Sequence, residues 1–123
     1  MRQKVVKINV RVKDQVMTAT LIDNATTRDL VSLLPLTVTM EDLLHREKYG
    51  HLPRAISERA KRTRSYQVGE IVYWSPGPDV AIYYRQDGES IPSPGITSLG
   101  KLDGDPKALR APGSLKVTFE AAQ

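Results

Sequence analysis

The sequence contains no cysteine, which removes disulfide frameworks, thiol nucleophiles and cysteine-ligated zinc or iron–sulfur centres together. Its 2 histidines, His45 and His51, stand six positions apart, unlike the i, i+4 pair of a helical zinc site, and no third strong ligand lies at a recognisable spacing. Both read as solvated or structurally bonded histidines, and neither a metal nor another cofactor is expected. No serine sits in a Gly-x-Ser-x-Gly elbow, so acyl transfer has no specific support. No apolar run approaches the roughly 20 residues of a membrane helix, and no apolar block follows Met1-Arg2 as a secretory signal would require. A cytoplasmic protein with no membrane partner is the expectation.

What remains is a chain of 123 residues, 40% hydrophobic and 26% charged, with 8 glycines and 8 prolines scattered along it. These values fit one globular domain over residues 1–123 with many turns. The net charge of +4 is local: Arg54, Arg59, Lys61, Arg62 and Arg64 face only Glu58, leaving 13 basic and 13 acidic residues elsewhere.

Short strands dominate the pattern. Val6, Ile8, Val10 and Val12 alternate with polar residues, and Val16 to Ile22 is β-rich and close enough to pair back, so residues 4–22 read as a hairpin. Thr26 and Asp29 form a variant capping box ahead of Leu30, Val31, Leu33 and Leu34, a short helix that Pro35 ends. Its apolar side can close one end of a barrel. Leu36 to Met40 alternates again, Glu41 to Arg46 reads as a helical turn or a loop, and Glu47 to Leu52 makes a weaker strand. Residues 53–68 are polar and cation-rich and read as a long exposed loop with few core contacts. Ile71 to Trp74 and Val80 to Tyr84, joined by Ser75-Pro76-Gly77-Pro78, form a second hairpin. A strand follows around Thr97 to Leu102, then a short helix capped by Asp105 and stopped by Pro112-Gly113, then a final strand through Leu115, Val117 and Phe119. About eight strands suffice to close a barrel filled by its own side chains.

Gly95 to Lys101 has the spacing of a phosphate-binding loop, but Leu102 stands where a hydroxyl should reach magnesium, and no strand-loop-helix context surrounds it. The carboxylate pairs Glu41-Asp42, Asp87-Glu89 and Asp103-Asp105 fall in turns or at a helix start, where they satisfy backbone donors. The cations of residues 54–64 have the charge to contact nucleic-acid phosphates, yet Tyr66 is the sole aromatic nearby and no recognition module is evident, so a solvated loop is the preferred reading. The aromatics point better to a pocket. Tyr73, Trp74, Tyr83 and Tyr84 share one hairpin, with Tyr49 as a neighbour, and adjacent strand residues face opposite sides. If Val80 and Ile82 point inward, so does Tyr84, while Tyr83 points out and Tyr73 and Trp74 divide between the faces.

Gly69-Glu70-Ile71-Val72-Tyr73-Trp74-Ser75-Pro76-Gly77, with Val80 to Tyr84 and Ser98-Leu99-Gly100-Lys101-Leu102 after it, resembles the small bacterial and archaeal cyclophilin-like domain family. Leu33-Leu34-Pro35 and Glu47-Lys48-Tyr49 resemble it too, so the likeness spans nearly the whole chain and is most specific over residues 69–84. It implies a mostly β fold: a closed eight-stranded β-barrel with one or two short helices. It does not carry catalysis, because the Phe-His-Arg and Gly-Ser-Gln-Phe-Phe segments of classical cyclophilins are absent. The resulting expectation is a non-catalytic module binding a small molecule or a proline-containing peptide through Glu47, Tyr49, Tyr73, Trp74 and Tyr84. Glu47 would orient a polar ligand group and the rings would supply apolar contact. The alternative is weak peptidyl-prolyl isomerisation, with Arg85 as the nearest candidate donor to the prolyl nitrogen.

Overall fold

The computed structural model describes residues 6–122, so the expected opening of the first strand at residue 4 lies outside the described residues. Eight strands alternate with short connections: β1 (Val6–Val12), β2 (Gln15–Leu21), β3 (Leu36–Leu43), β4 (Glu47–His51), β5 (Glu70–Trp74), β6 (Asp79–Tyr83), β7 (Thr97–Leu102) and β8 (Leu115–Ala121). They close into a barrel in the order β1-β2-β7-β5-β6-β4-β3-β8. Every neighbouring pair is antiparallel, and closure leaves no open sheet edge.

Period-2 alternation fills the interior. Ile8, Val10 and Val12 of β1, Val38 and Met40 of β3, Ile71 and Tyr73 of β5, and Val80 and Ile82 of β6 enter one buried cluster with Val117 and Phe119 of β8. The helix α1 (Ala25–Val31) lays Leu30, fully buried, against the same cluster. Its start differs from the expected capping box. Asn24 is the N-cap and accepts the Thr27 amide at 2.7 Å, while Thr26 donates to the Ser57 carbonyl and Asp29 accepts from the Ser57 amide and the Arg54 guanidinium. Asp29 is thus drawn off the helix start to anchor a distant loop.

Three further expectations are corrected. Glu41 to Leu43 extends β3, and the reversal into β4 is a tight turn with Leu44 and His45 at positive φ. The element after Asp105 is a 3-10 helix, Lys107–Arg110, with no side-chain cap; Asp105 pairs with Arg110 instead. The stretch 53–68 is not a loop free of the core, since Ile56 and Tyr66 are buried, and the Ile56 amide donates to the Tyr73 hydroxyl at 3.2 Å. Single apolar residues among many polar ones leave no periodic trace, so composition alone makes this segment look detached.

Candidate functional site

β6 is buried along its whole length. Val80 and Ile82 fill the barrel, whereas Ala81 and Tyr83 face outward into a second apolar cluster with Tyr66, Val72, Ile91 and Ile96, against which Tyr49 and Trp74 pack. The register explains how a concavity arises on this outer face. Ala81 is paired on one side with Tyr49 of β4 and on the other with Val72 of β5, so the smallest side chain lies centrally between larger ones. Glu47 pairs with Tyr83, and Asp79 with Trp74. The 84–96 connection between β6 and β7 supplies the opposite wall, and the open-sided cavity measures about 540 Å³, within the ~300–1,000 Å³ typical of small-molecule sites.

That wall is fastened to the neighbouring loop rather than left loose. The Tyr66 hydroxyl donates to Asp87 Oδ1 at 2.9 Å, and the Asp87 amide donates to the same hydroxyl at 3.1 Å. Ile91 and Arg64 exchange two bonds, amide to carbonyl at 2.8 Å and Arg64 Nε to the Ile91 carbonyl at 2.6 Å. Thr63 and Ile96 exchange both backbone bonds at 2.8 Å. Gly95 permits this approach: its φ is +87°, and a Cβ there would stand 2.7 Å from the Thr63 carbonyl oxygen.

One end of the cavity is ionic. Arg46 and Glu47 are both nearly buried, at 8% and 7% side-chain exposure. Arg46 Nε reaches Glu47 Oε1 at 2.8 Å, Nη2 reaches the same oxygen, and Nη1 lies 3.4 Å from Asp87 Oδ2. The guanidinium also lies 5.5 Å and 5.6 Å from the ring centroids of Tyr66 and Tyr83, which stack at 3.9 Å. Burial pushes the Glu47 carboxyl above its ordinary range, a shift that Arg46 only partly offsets. Burial likewise raises the Tyr83 hydroxyl, reinforced by Glu47. Across the cavity, Asp79 Oδ1 is buried without an aligned hydrogen-bond donor, although His51 Nδ1 stands 2.5 Å away.

The five residues expected to form a site are divided by this geometry. Glu47, Tyr49 and Trp74 line the cavity. Tyr73 and Tyr84 join the barrel-side cluster instead, because they share the inward parity of Val80 and Ile82. Tyr84 donates its hydroxyl to Asp42, and burial together with that carboxylate pushes its pKa up to about 12. Asp42 also pairs with Lys48, which is fully buried and donates to the Gly113 carbonyl at 2.6 Å. The cavity also takes in residues that the sequence reading did not assign to the site, among them Arg46, Tyr83, Asp87 and the short run after it. Tyr83 carried a signal, its outward parity; Asp87 reads in sequence as a turn carboxylate paired with Glu89, whose amide it accepts at 3.0 Å, and its bonds to Tyr66 leave no trace there.

Arg85, the candidate donor for isomerisation, is exposed and does not line the cavity. Of the 54–64 cations, Arg54 pairs with Asp29, Arg62 with Glu58, and Arg64 is held by Ile91. No helix is long and apolar enough to cross a membrane among the described residues.

Residues 10–120 match the Cyclophilin-like family. No curated protein matches the chain in sequence. Among solved structures, the solution structure of a hypothetical protein from Archaeoglobus fulgidus is similar at a TM-score of 0.78, covering 98% of this chain and 98% of its own, with 18% identity. Such an identity carries the fold and not an activity. With a closed eight-stranded barrel and a family match over nearly its whole length, the chain belongs to the Cyclophilin-like family.

Proposed function

We propose that this protein is a non-catalytic binding module whose ligand, a small organic molecule or a short peptide segment, occupies the cavity between the outer face of β4, β6 and β5 and the 84–96 connection. The observation that carries the reading is the cavity itself, about 540 Å³ with Tyr49 and Trp74 partly exposed beside a nearly buried Glu47. Aromatic walls give apolar contact area, and a few fixed polar groups give orientation. Binding without isomerisation is favoured by the state of Arg46, the one guanidinium lining the cavity among the described residues. Arg46 spends Nε and Nη2 on Glu47 and turns Nη1 toward Asp87, so each of its nitrogens is already turned to a carboxylate rather than preorganised toward a rotating amide.

The test is a fragment screen read by backbone NMR shifts and Trp74 fluorescence. Ligands are expected to shift Tyr49, Trp74, Ala81 and Ile91 together, and Ala81→Leu, which fills the concavity from its centre, is expected to abolish those shifts. Shifts confined to other faces, or unchanged by Ala81→Leu in a folded variant, would remove the assignment.

A further inference from the structure

The charges around the cavity are unequal. Among the described residues Arg46 is its sole cationic lining residue, and it shares that lining with Glu47, Asp79, Asp87 and Glu89. Arg46 is already committed to two of those carboxylates. An anionic ligand would therefore meet a surplus of negative charge, and the guanidinium that would have to receive it is engaged elsewhere.

The Glu47 carboxylate is half used. Both Arg46 contacts fall on Oε1, and no donor among the described residues reaches Oε2. The side chain is 7% exposed, so bulk water has little access to that oxygen except through the cavity it lines. A carboxylate oxygen held in this way accepts a charge-assisted hydrogen bond from whatever donor enters. Asp79, at the other end of the cavity, adds a further carboxylate, its Oδ1 2.5 Å from His51 Nδ1. Tyr49 and Trp74, both partly exposed, line the space with π systems, whose faces attract cations and whose bulk suits an apolar stem. The same protein already places a cation against such rings, in Arg46 beside Tyr66 and Tyr83.

We propose that the cavity selects organic cations: an ammonium group on an aromatic or aliphatic stem, its nitrogen donating to Glu47 Oε2 and its stem lying against Tyr49 and Trp74. This rests on the cavity being the binding site. The ammonium has two possible sources, a free amine or the side chain of a lysine in a peptide, and the test separates them.

The experiment titrates the full chain with phenethylamine, phenethyl alcohol and phenylacetate, matched in shape but cationic, neutral and anionic, and with capped Gly-Lys-Gly and its norleucine counterpart. Binding is read by calorimetry and by NMR shifts at the cavity. Phenethylamine is expected to bind about tenfold tighter than the alcohol and tighter still than the acid; a charge preference seen only in the peptide pair assigns the ammonium to a lysine side chain. Glu47→Gln, its fold checked by unchanged amide shifts in β1 and β8, is expected to collapse the amine-over-alcohol preference to about twofold. Trp74→Leu, at a partly exposed position, is expected to weaken the amine several-fold. Equal binding of the neutral and cationic probes, or tighter binding of the acid, overturns the cation inference and leaves the cavity as the site. No cavity shift with any probe overturns both.

Discussion

Arg46 and Glu47 are adjacent in sequence, yet they hold together groups far apart in the chain. Arg46 reaches Asp87 with its guanidinium, and its carbonyl receives the amides of Tyr84 at 2.9 Å and Arg85 at 3.2 Å. Removing one partner of a nearly buried ion pair leaves the other uncompensated. Arg46→Met is expected to cost about 3 kcal/mol in chemical denaturation. The carboxyls respond to pH with opposite signs. Burial raises Glu47 in the folded state, so its stabilising contribution is complete below about pH 4.5 and fades as pH rises through its elevated pKa. Wild type should therefore gain stability relative to Glu47→Gln as pH is lowered from about 7 to about 5. Asp42 behaves in reverse: burial pushes it up, but the Tyr84 hydroxyl and the Lys48 ammonium outweigh that and hold it below its ordinary 3.8. Its contribution is present above that value and is lost as pH falls through the lowered pKa, so Asp42→Asn should flatten the acid limb of the stability profile. A Glu47→Gln profile parallel to wild type between about pH 7 and about pH 5 would contradict the role given to burial at that site.

At the scale of elements, the 84–96 connection has no regular structure and derives its position from contacts with the 63–66 segment. Gly95→Val would place a branched side chain at φ +87° against the Thr63 carbonyl. The expected outcome is a loss of about 1–3 kcal/mol and faster hydrogen exchange at Ile91 and Ile96, with β1 and β8 protected as before. Asn24→Ala, which removes the N-cap acceptor of α1, should cost about 1 kcal/mol. These elements also show where sequence reading succeeds and stops. The strands were legible because one buried face prints a period of two, clearly in Val6 to Val12 and in Leu115 to Phe119. The outward parity of Tyr83 was legible for the same reason, and the same rule separates Trp74 from its neighbour Tyr73. The wall opposite was not legible, because Asp87, Ile91 and Ile96 reach the cavity through side-chain and backbone bonds to Tyr66, Arg64 and Thr63, partners that no local periodicity links.

For the whole molecule, the barrel interior and the cavity are two faces of one sheet, with β5 and β6 shared between them. Phe119, fully buried opposite this region in the β8 ladder, tests the interior: Phe119→Ala should cost about 3–5 kcal/mol. Ala81→Leu tests the exterior, adding bulk outside the barrel while leaving Val80 and Ile82 in place. The most direct measurement of the central claim is a crystal structure of the protein with phenethylamine. The expected result places the ring beside Tyr49 and Trp74 and the ammonium nitrogen about 3 Å from Glu47 Oε2. Density for the amine at another face of the barrel, or in the cavity with its ammonium turned away from Glu47 toward solvent, would contradict it.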